Sequence, residues 1–157
     1  MAKFPITKQG YEALEAEHKR LKSVDRPAII EQIAIARDHG DLKENAEYHA
    51  AREKQSFIEG RIQTLDGYIV NAEIVDVPKL TGKKILFGAT VEMADCNTDE
   101  EKNYQIVGEY ESDITKNKIS ISSPIARALI GKEEGDVIKV TTPGGVKEYE
   151  ILKVSFK

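Results

Sequence analysis

The sequence predicts an α+β protein, in which an N-terminal antiparallel α-helical coiled-coil hairpin precedes a small C-terminal antiparallel β-sheet domain with one helix. Two observations predict this class. Apolar residues recur at helical spacing through the first half of the chain, and the period changes after Pro78 to short alternating β-branched runs. We expect the hairpin over residues 1–76, a linker over 77–83 and the second domain over 84–157.

The first helix is expected to begin after Thr7, whose hydroxyl suits an N-cap position. One face of this helix is mostly apolar and consists of Tyr11, Leu14, His18 and Leu21. On such a face, His18 is better explained as a packed or partly exposed histidine than as a ligand. Pro27 removes a backbone donor, so a kink or short break is expected near residues 24–27. An apolar stripe follows and ends at Gly40, a natural helix stop.

The second helix has the more regular pattern, with steps of three and four residues over more than three heptads. Its apolar line consists of Tyr48, Ala51, Gln55, Ile58, Ile62, Leu65, Ile69 and Ala72. The same spacing continued backwards reaches Glu44 and Asp41. Some 30 helical residues would make a rod of roughly 45 Å. Gly40 and Pro27 favour a hairpin over the alternative, one continuous helix that dimerises with another chain.

The C-terminal half is predicted to contain five strands and one short helix. The strands are expected at 89–94, 104–109, 119–122, 137–141 and 146–154. Residues 97–103 are typical of a hairpin loop and 143–145 of a tight turn. The helix is expected after Ser123 as its N-cap, with Pro124 as its first residue and Gly131 as its stop.

The composition limits the classes of partner. The chain has 157 residues, 32% of them charged and 40% apolar, and a net charge of −4. Residues 1–75 carry 11 basic and 13 acidic side chains, and residues 76–157 carry 12 and 14. Neither half has the positive excess that drives free-standing nucleic-acid binding. Contact with RNA or DNA would therefore be local or organised by a partner.

The sequence also predicts a cytoplasmic location. It has no apolar stretch of about 18 residues, so no membrane span is expected. The N-terminus has no apolar run of signal-peptide length. The single cysteine, Cys96, allows no internal disulfide and suits a reducing compartment. We expect a monomer that does not associate with a membrane.

The polar segment between the two helices carries the chemistry of most interest. Asp41 and Glu44 are three residues apart, and hard oxygen ligands at that spacing suit Mg²⁺. Two carboxylates alone would hold the ion weakly, and on spacing alone stabilisation of a helix start explains them better. Arg37 and Arg52 could contact phosphate, although solvated surface arginines explain them equally well. The sequence has no CxxC pair, no HExxH and no glycine-rich phosphate loop, so an isolated enzyme is not indicated.

Several segments together resemble the Gre-type transcript cleavage factors. In the first half they are residues 40–48, Gln55 and residues 59–62. In the second half they are residues 87–88, 104–108 and 121–132. The resemblance extends nearly from end to end, and the last of these segments is long enough to be highly specific. Lys43 departs from the pattern, since many relatives carry serine there, but both carboxylates are retained.

The resemblance implies an FKBP-like C-terminal domain that docks on RNA polymerase while the hairpin enters the secondary channel. The acidic tip would then help to hold the second Mg²⁺ of the polymerase active centre, where backtracked RNA is hydrolysed. By position, Asp41 would coordinate the metal, and Glu44 would assist or orient the attacking water. The docking surface would include Ser122, Ser123 and Pro124. An FKBP-like fold does not imply prolyl isomerase activity.

The implied partners are RNA polymerase and the 3′ end of nascent RNA within its complex, and the implied cofactor is Mg²⁺ shared with the polymerase and not held stably by the free protein. The chain would thus stimulate RNA cleavage without being an enzyme itself. Two alternatives stay open. One is a non-catalytic regulator or inhibitor that occupies the secondary channel, and the other is a free-standing coiled-coil adaptor.

Overall fold

The computed structural model describes residues 3–40 and 44–157 and confirms the mixed α+β class. The chain forms two compact units. The helical unit is Tyr11–Ala72, and the β unit joins the N-terminal segment ending at Gly10 to Glu73–Lys157. Residues 3–10, which lie within the expected hairpin, therefore group with the β unit.

Three helices and one wider turn account for the helical region. They are α1 (Lys8–Arg20), a π-helical turn (Leu21–Asp25), α2 (Arg26–Arg37) and α3 (Ala46–Asn71). Thr7 caps α1 as predicted, because its Oγ1 accepts a hydrogen bond from the N–H of Gly10 at 3.0 Å. The 26 residues of α3 give it a length of about 39 Å. Among the described helices, none is long and apolar enough to cross a membrane.

The predicted break before Pro27 takes the form of the π-helical turn. The N–H of Arg26 bonds to the carbonyl of Leu21, five residues back instead of four. Proline has no N–H, and its ring crowds the preceding turn of an α-helix. The turn that precedes Pro27 is therefore widened, and the irregularity begins earlier than residues 24–27.

The predicted apolar faces of α2 and α3 pack against each other. The buried residues of this cluster are Ile29, Ile33, Ala51, Ile58 and Ile62, with Leu21 and Tyr48 packed against them. Two isoleucines of the apolar stripe on α2, Ile30 and Ile35, are exposed and lie outside this cluster. His18 is half-buried, and its Nε2 lies 2.5 Å from Oδ1 of Asp66 on α3. That pairing agrees with the prediction of a packed histidine.

Two bidentate ion pairs join the helices. Arg26 on α2 holds both carboxylate oxygens of Glu59 on α3, at 2.7 and 2.8 Å. Arg61 on α3 holds both oxygens of Glu17 on α1, at 2.8 and 3.1 Å. The hydrogen bond from Arg26 lowers the pKa of Glu59 below its ordinary value. Because two parallel hydrogen bonds add geometric specificity to an ion pair, these pairs favour the observed alignment of the helices.

The β unit contains two sheets. The smaller one pairs β1 (Phe4–Thr7) with β2 (Ala72–Val75), and neither strand was predicted. The larger one has the order β5-β4-β3-β7-β6. Its strands are β3 (Thr90–Asp95), β4 (Glu101–Val107), β5 (Lys118–Ser120), β6 (Val137–Thr142) and β7 (Gly145–Ser155). All five lie where the sequence predicted strands, although β4 begins inside the expected loop at 97–103.

The expectation of an entirely antiparallel sheet is wrong at one pair. β5 runs parallel to β4, with Ile106 opposite Ile119. The connection at 108–117 includes a 3₁₀ turn, Ile114–Lys116, and then Asn117 with a φ of 58°. This left-handed residue reverses the chain after the turn, so β5 starts beside β4 in the same direction.

One helix packs on the larger sheet. It is α4 (Pro124–Leu129), and its Ala126 and Leu129 are fully buried. The core beneath it consists of Ile85, Ala89, Val91, Met93, Ile106, Ile119, Ile138, Val140, Tyr149 and Ile151. The Ser123 cap and the Gly131 stop are as predicted, since Ser123 Oγ accepts from the N–H of Ala126 at 3.3 Å and Gly131 has a φ of 84°.

Candidate functional site at the hairpin tip

The hairpin tip is the segment between α2 and α3, residues 38–45. Residues 41–43 lie outside the described part of the chain, and Asp41, the predicted metal ligand, is among them. The described residues of the tip are therefore the three that follow α2 and the two that precede α3. Their geometry shows how both ends of the segment are held.

The α2 end of the tip closes with backbone hydrogen bonds between residues that are three positions apart. The N–H of His39 bonds to the carbonyl of Ala36 at 3.2 Å, and that of Gly40 to the carbonyl of Arg37 at 3.4 Å. Gly40 has a φ of 114°, which L side chains rarely adopt. The prediction that Gly40 stops this helix is confirmed, because a non-glycine residue would be strained there.

The α3 end is organised by Asn45, a residue that the sequence analysis did not single out. Its Oδ1 accepts a hydrogen bond from the N–H of Tyr48 at 3.0 Å, which makes Asn45 the N-cap of α3. Its Nδ2 donates to the carbonyl of Ala36 on α2 at 2.6 Å. An asparagine directly before the apolar line is a usable N-cap signal. The second bond leaves no signal in the sequence.

Glu44 is an exposed residue in the turn directly before Asn45. The expectation that the apolar line of α3 continues back to Glu44 is wrong, because Asn45 has an extended backbone with φ −86° and ψ 94°. The helical spacing therefore ends at Ala46. Glu44 lies outside the helix, with its carboxylate accessible to groups beyond this chain.

A small cluster of aromatic and charged side chains lies beside the tip. The guanidinium carbon of Arg37 is 5.8 Å from the centre of the Tyr48 ring, within cation–π range. Nδ1 of His39 lies 3.9 Å from Oε2 of Glu47. Arg52 is exposed further along α3. Of the two arginines that could contact phosphate, Arg37 thus packs on the Tyr48 ring beside the tip.

The described tip residues suit a hard cation but do not complete a site. The carboxylate of Glu44 is an oxygen donor of the kind that Mg²⁺ prefers. Within residues 3–40 and 44–157, however, no three His, Cys, Asp or Glu side chains converge on one point. A magnesium ion at the tip would therefore need donors from outside the described residues.

The predicted docking residues form one compact turn between β5 and α4. Ser123 Oγ donates to the carbonyl of Ser120 at 2.7 Å and also caps α4. Ser122 Oγ lies 2.8 Å from Ser120 Oγ. Both Ser122 and Ser123 are half-buried, whereas Pro124 is exposed. The hydroxyl of Ser123 is thus engaged in holding the turn, and Pro124 is the most accessible of the three.

Comparisons with known proteins give a consistent result over both halves of the chain. Residues 4–74 match the family model described as "Transcription elongation factor, N-terminal". Residues 80–156 match the model described as "Transcription elongation factor, GreA/GreB, C-term".

Individual relatives match over their whole length. Transcription elongation factor GreA of Ruegeria pomeroyi is 62% identical over 156 residues, which are 99% of each chain. The protein of the same name from Hyphomonas neptunium is 59% identical over 157 residues, the full length of both. Among solved structures, Gfh1 of Thermus aquaticus is 31% identical over 99% of each chain, with a TM-score of 0.45.

Proposed function

Because the chain belongs to the GreA/GreB family of transcription elongation factors, we propose that it is a transcript cleavage factor of RNA polymerase. The family resemblance inferred from the sequence is confirmed, and with it the general role in elongation. In the proposed mechanism the protein docks on the polymerase in the cytoplasm, places the hairpin tip in the secondary channel and stimulates Mg²⁺-dependent hydrolysis of backtracked RNA.

The observation that carries this proposal is the placement of Glu44. Its carboxylate is exposed, outside the helix and directly beside a residue that is bonded to both helices. A carboxylate so placed is poorly suited to a pocket of its own chain. It is well suited to completing a site on another protein.

Magnesium, when bound, supplies activation of a water molecule or stabilisation of the leaving oxygen. In the proposal, Asp41 and Glu44 contribute oxygen ligands to an ion that the polymerase also holds. Arg37 and Arg52 add positive charge near the approaching RNA. The β unit contributes docking through Ser122, Ser123 and Pro124. The reaction centre then belongs to the polymerase, and this chain acts as a cofactor for it.

The test is RNA cleavage in stalled, backtracked complexes with the variants Asp41→Asn and Glu44→Gln. Each variant should lower the maximal cleavage rate at least about tenfold, by analogy with loss of groups that support a metal site. Affinity for the polymerase should be unchanged. Glu47→Gln is the matched control, because it removes the same charge from the first turn of α3 without touching the proposed ligands.

The outcomes separate the proposal from its alternatives. If both variants cleave at the wild-type rate, the proposed mechanism is wrong. If Glu47→Gln lowers the cleavage rate as much as Glu44→Gln does, the acidic residues act by stabilising the beginning of the helix. A protein that binds the polymerase and stimulates no cleavage at any Mg²⁺ concentration would be a channel-binding regulator. Purification without any polymerase subunit would favour an adaptor.

A further inference from the structure

The side-chain amide of Asn45 both accepts and donates a hydrogen bond. Oδ1 accepts from the N–H of Tyr48 at 3.0 Å, within α3, and Nδ2 donates to the carbonyl of Ala36 at 2.6 Å, in the last turn of α2. Ala36 is buried and Asn45 is half-buried. One side chain therefore bonds to the end of one helix and to the beginning of the next.

Helix capping alone does not require an asparagine. Serine, threonine and aspartate accept from the same backbone N–H groups and cap helices with similar strength. Aspartate has no donor, and in serine and threonine the donor and the acceptor are one oxygen, a bond closer to the backbone, whereas asparagine carries its donor on a separate atom, Nδ2. The bond to Ala36 is therefore the property that distinguishes asparagine from the other good caps at this position.

This second bond fixes the beginning of α3 relative to the end of α2, on the two sides of the tip. It spans nine residues of sequence, from Ala36 to Asn45. Glu44 is joined to Asn45 by a peptide bond, so its backbone lies next to the point where the two helix ends are connected. Without the bond to Ala36, α3 would keep its cap, but the link to α2 that lies directly beside Glu44 would be lost.

We propose that Asn45 is a positioning residue that holds the Glu44 carboxylate in its productive place through the bond to Ala36. This inference rests on the proposed cleavage function. It assigns to Asn45 no contact with metal, RNA or polymerase. Asn45 acts by setting the position of Glu44. Loss of its bond to Ala36 should therefore change the maximal cleavage rate and the Mg²⁺ requirement for cleavage more than it changes affinity for the polymerase.

The test is the variant Asn45→Ser, which keeps an acceptor for the N-cap and removes the Nδ2 donor to Ala36, leaving only a hydroxyl on a shorter side chain. The full-length protein is titrated into backtracked complexes, and the maximal cleavage rate is measured separately from the half-saturating factor concentration. We expect the rate to fall about five- to tenfold, equivalent to one net hydrogen bond. The Mg²⁺ concentration for half-maximal rate should rise, while the half-saturating factor concentration stays within about twofold. Circular dichroism should show an unchanged helix content.

A double-mutant comparison tests whether the effect passes through Glu44. In Glu44→Asp the carboxylate is already displaced by one methylene. Adding Asn45→Ser to this variant should therefore lower the maximal cleavage rate by a much smaller factor than it does in the wild type. Equal costs in the two backgrounds would overturn the inference, and so would wild-type rate and Mg²⁺ dependence in Asn45→Ser. If the unmodified protein stimulates no cleavage, the proposed function fails and the inference fails with it. If it does stimulate cleavage and Asn45→Ser matches it, only the inference fails.

Discussion

The N–H of Thr7 donates a hydrogen bond of 3.0 Å to Oε2 of Glu111, across 104 residues of sequence. The hydroxyl of Thr7 donates to the other carboxylate oxygen, and the N–H of Gly108 donates to Oε2 at 2.9 Å. A single carboxylate thus joins β1 to the loop after β4 within the β unit. These bonds explain why the N-terminal segment belongs to the β unit and not to the hairpin.

We expect Glu111→Gln to lower the free energy of unfolding by about 1–3 kcal/mol, because a neutral amide leaves backbone or hydroxyl donors unsatisfied. Urea unfolding monitored by circular dichroism measures the change. Glu109→Gln is the matched control, since Glu109 is exposed in the same loop. Equal stability of the two variants would show that the Glu111 bonds contribute nothing.

Two glycines should respond in opposite directions to replacement by alanine. A Cβ at Gly108 would lie 2.7 Å from the carbonyl oxygen of Pro5, and backbone atoms there cannot move cheaply. We expect Gly108→Ala to destabilise the protein by about 1–3 kcal/mol, as other overpacked sites do. At Gly60, inside α3, a Cβ would meet no atom within 4 Å.

Gly60→Ala should therefore stabilise the protein by about 0.5–1 kcal/mol, because it removes backbone freedom from the unfolded chain. The same urea titration compares both alanine variants with the wild type. A loss of stability in Gly60→Ala would contradict the open space seen at that position.

The ion pair of Arg26 and Glu59 predicts a stability loss in acid. The hydrogen bond from Arg26 lowers the pKa of Glu59 below its ordinary value of 4.5. A depressed carboxyl pKa contributes stability above the ordinary pKa, and this contribution is lost as the pH falls through the folded-state value. Glu59→Gln should therefore lower the melting temperature at pH 7 and have a smaller effect near pH 3.

Thermal unfolding across this pH range is the measurement, with Glu53→Gln as the control, since Glu53 is an exposed carboxylate of the same helix. A difference between Glu59→Gln and the wild type that is constant from pH 7 to pH 3 would contradict the assignment. The pair is partly exposed, with 35% of the Arg26 side chain and 41% of the Glu59 side chain accessible, so salt should also weaken its contribution.

Two substitutions where β5 is followed by α4 should separate an effect on folding stability from an effect on polymerase docking. Ser123→Ala removes the cap of α4 and should cost about 1 kcal/mol of folding free energy. Pro124 is exposed, so Pro124→Ala should leave folding nearly unchanged and weaken polymerase binding about fivefold if this turn is the docking surface. Equilibrium binding to purified polymerase, combined with thermal unfolding, distinguishes the two effects. Unchanged affinity in Pro124→Ala would place docking elsewhere.

Much of the fold could be predicted because its signals are local. The apolar line of α3 is continuous in the sequence, and Ala51, Ile58, Ile62 and Leu65 on it are buried as expected. Alternation likewise predicted all five strands of the larger sheet. The caps Thr7 and Ser123 accept bonds from residues three positions away, within the range that a sequence pattern covers.

The failures share a physical cause. β1 and β2 are four-residue strands that pair across more than 60 residues, and their sequences show no clear alternation. The parallel direction of β5 is set by the connection at 108–117, which contains a 3₁₀ turn and the left-handed Asn117. At the tip, the helical spacing was extended too far because the N-cap signal of Asn45, which marks the beginning of α3, was not used.

The sequence by itself determined the α+β class, the hairpin, the five-stranded sheet and the family, because periodicity and motifs are properties of neighbouring residues. Tertiary structure alone decided which distant groups meet: Glu111 with Thr7, and Asn45 with the carbonyl of Ala36. A hydrogen bond between groups brought together by folding leaves no periodic trace in the chain. For that reason the sequence pointed to Glu44, and only the structure showed the side chain that connects the two helix ends beside it.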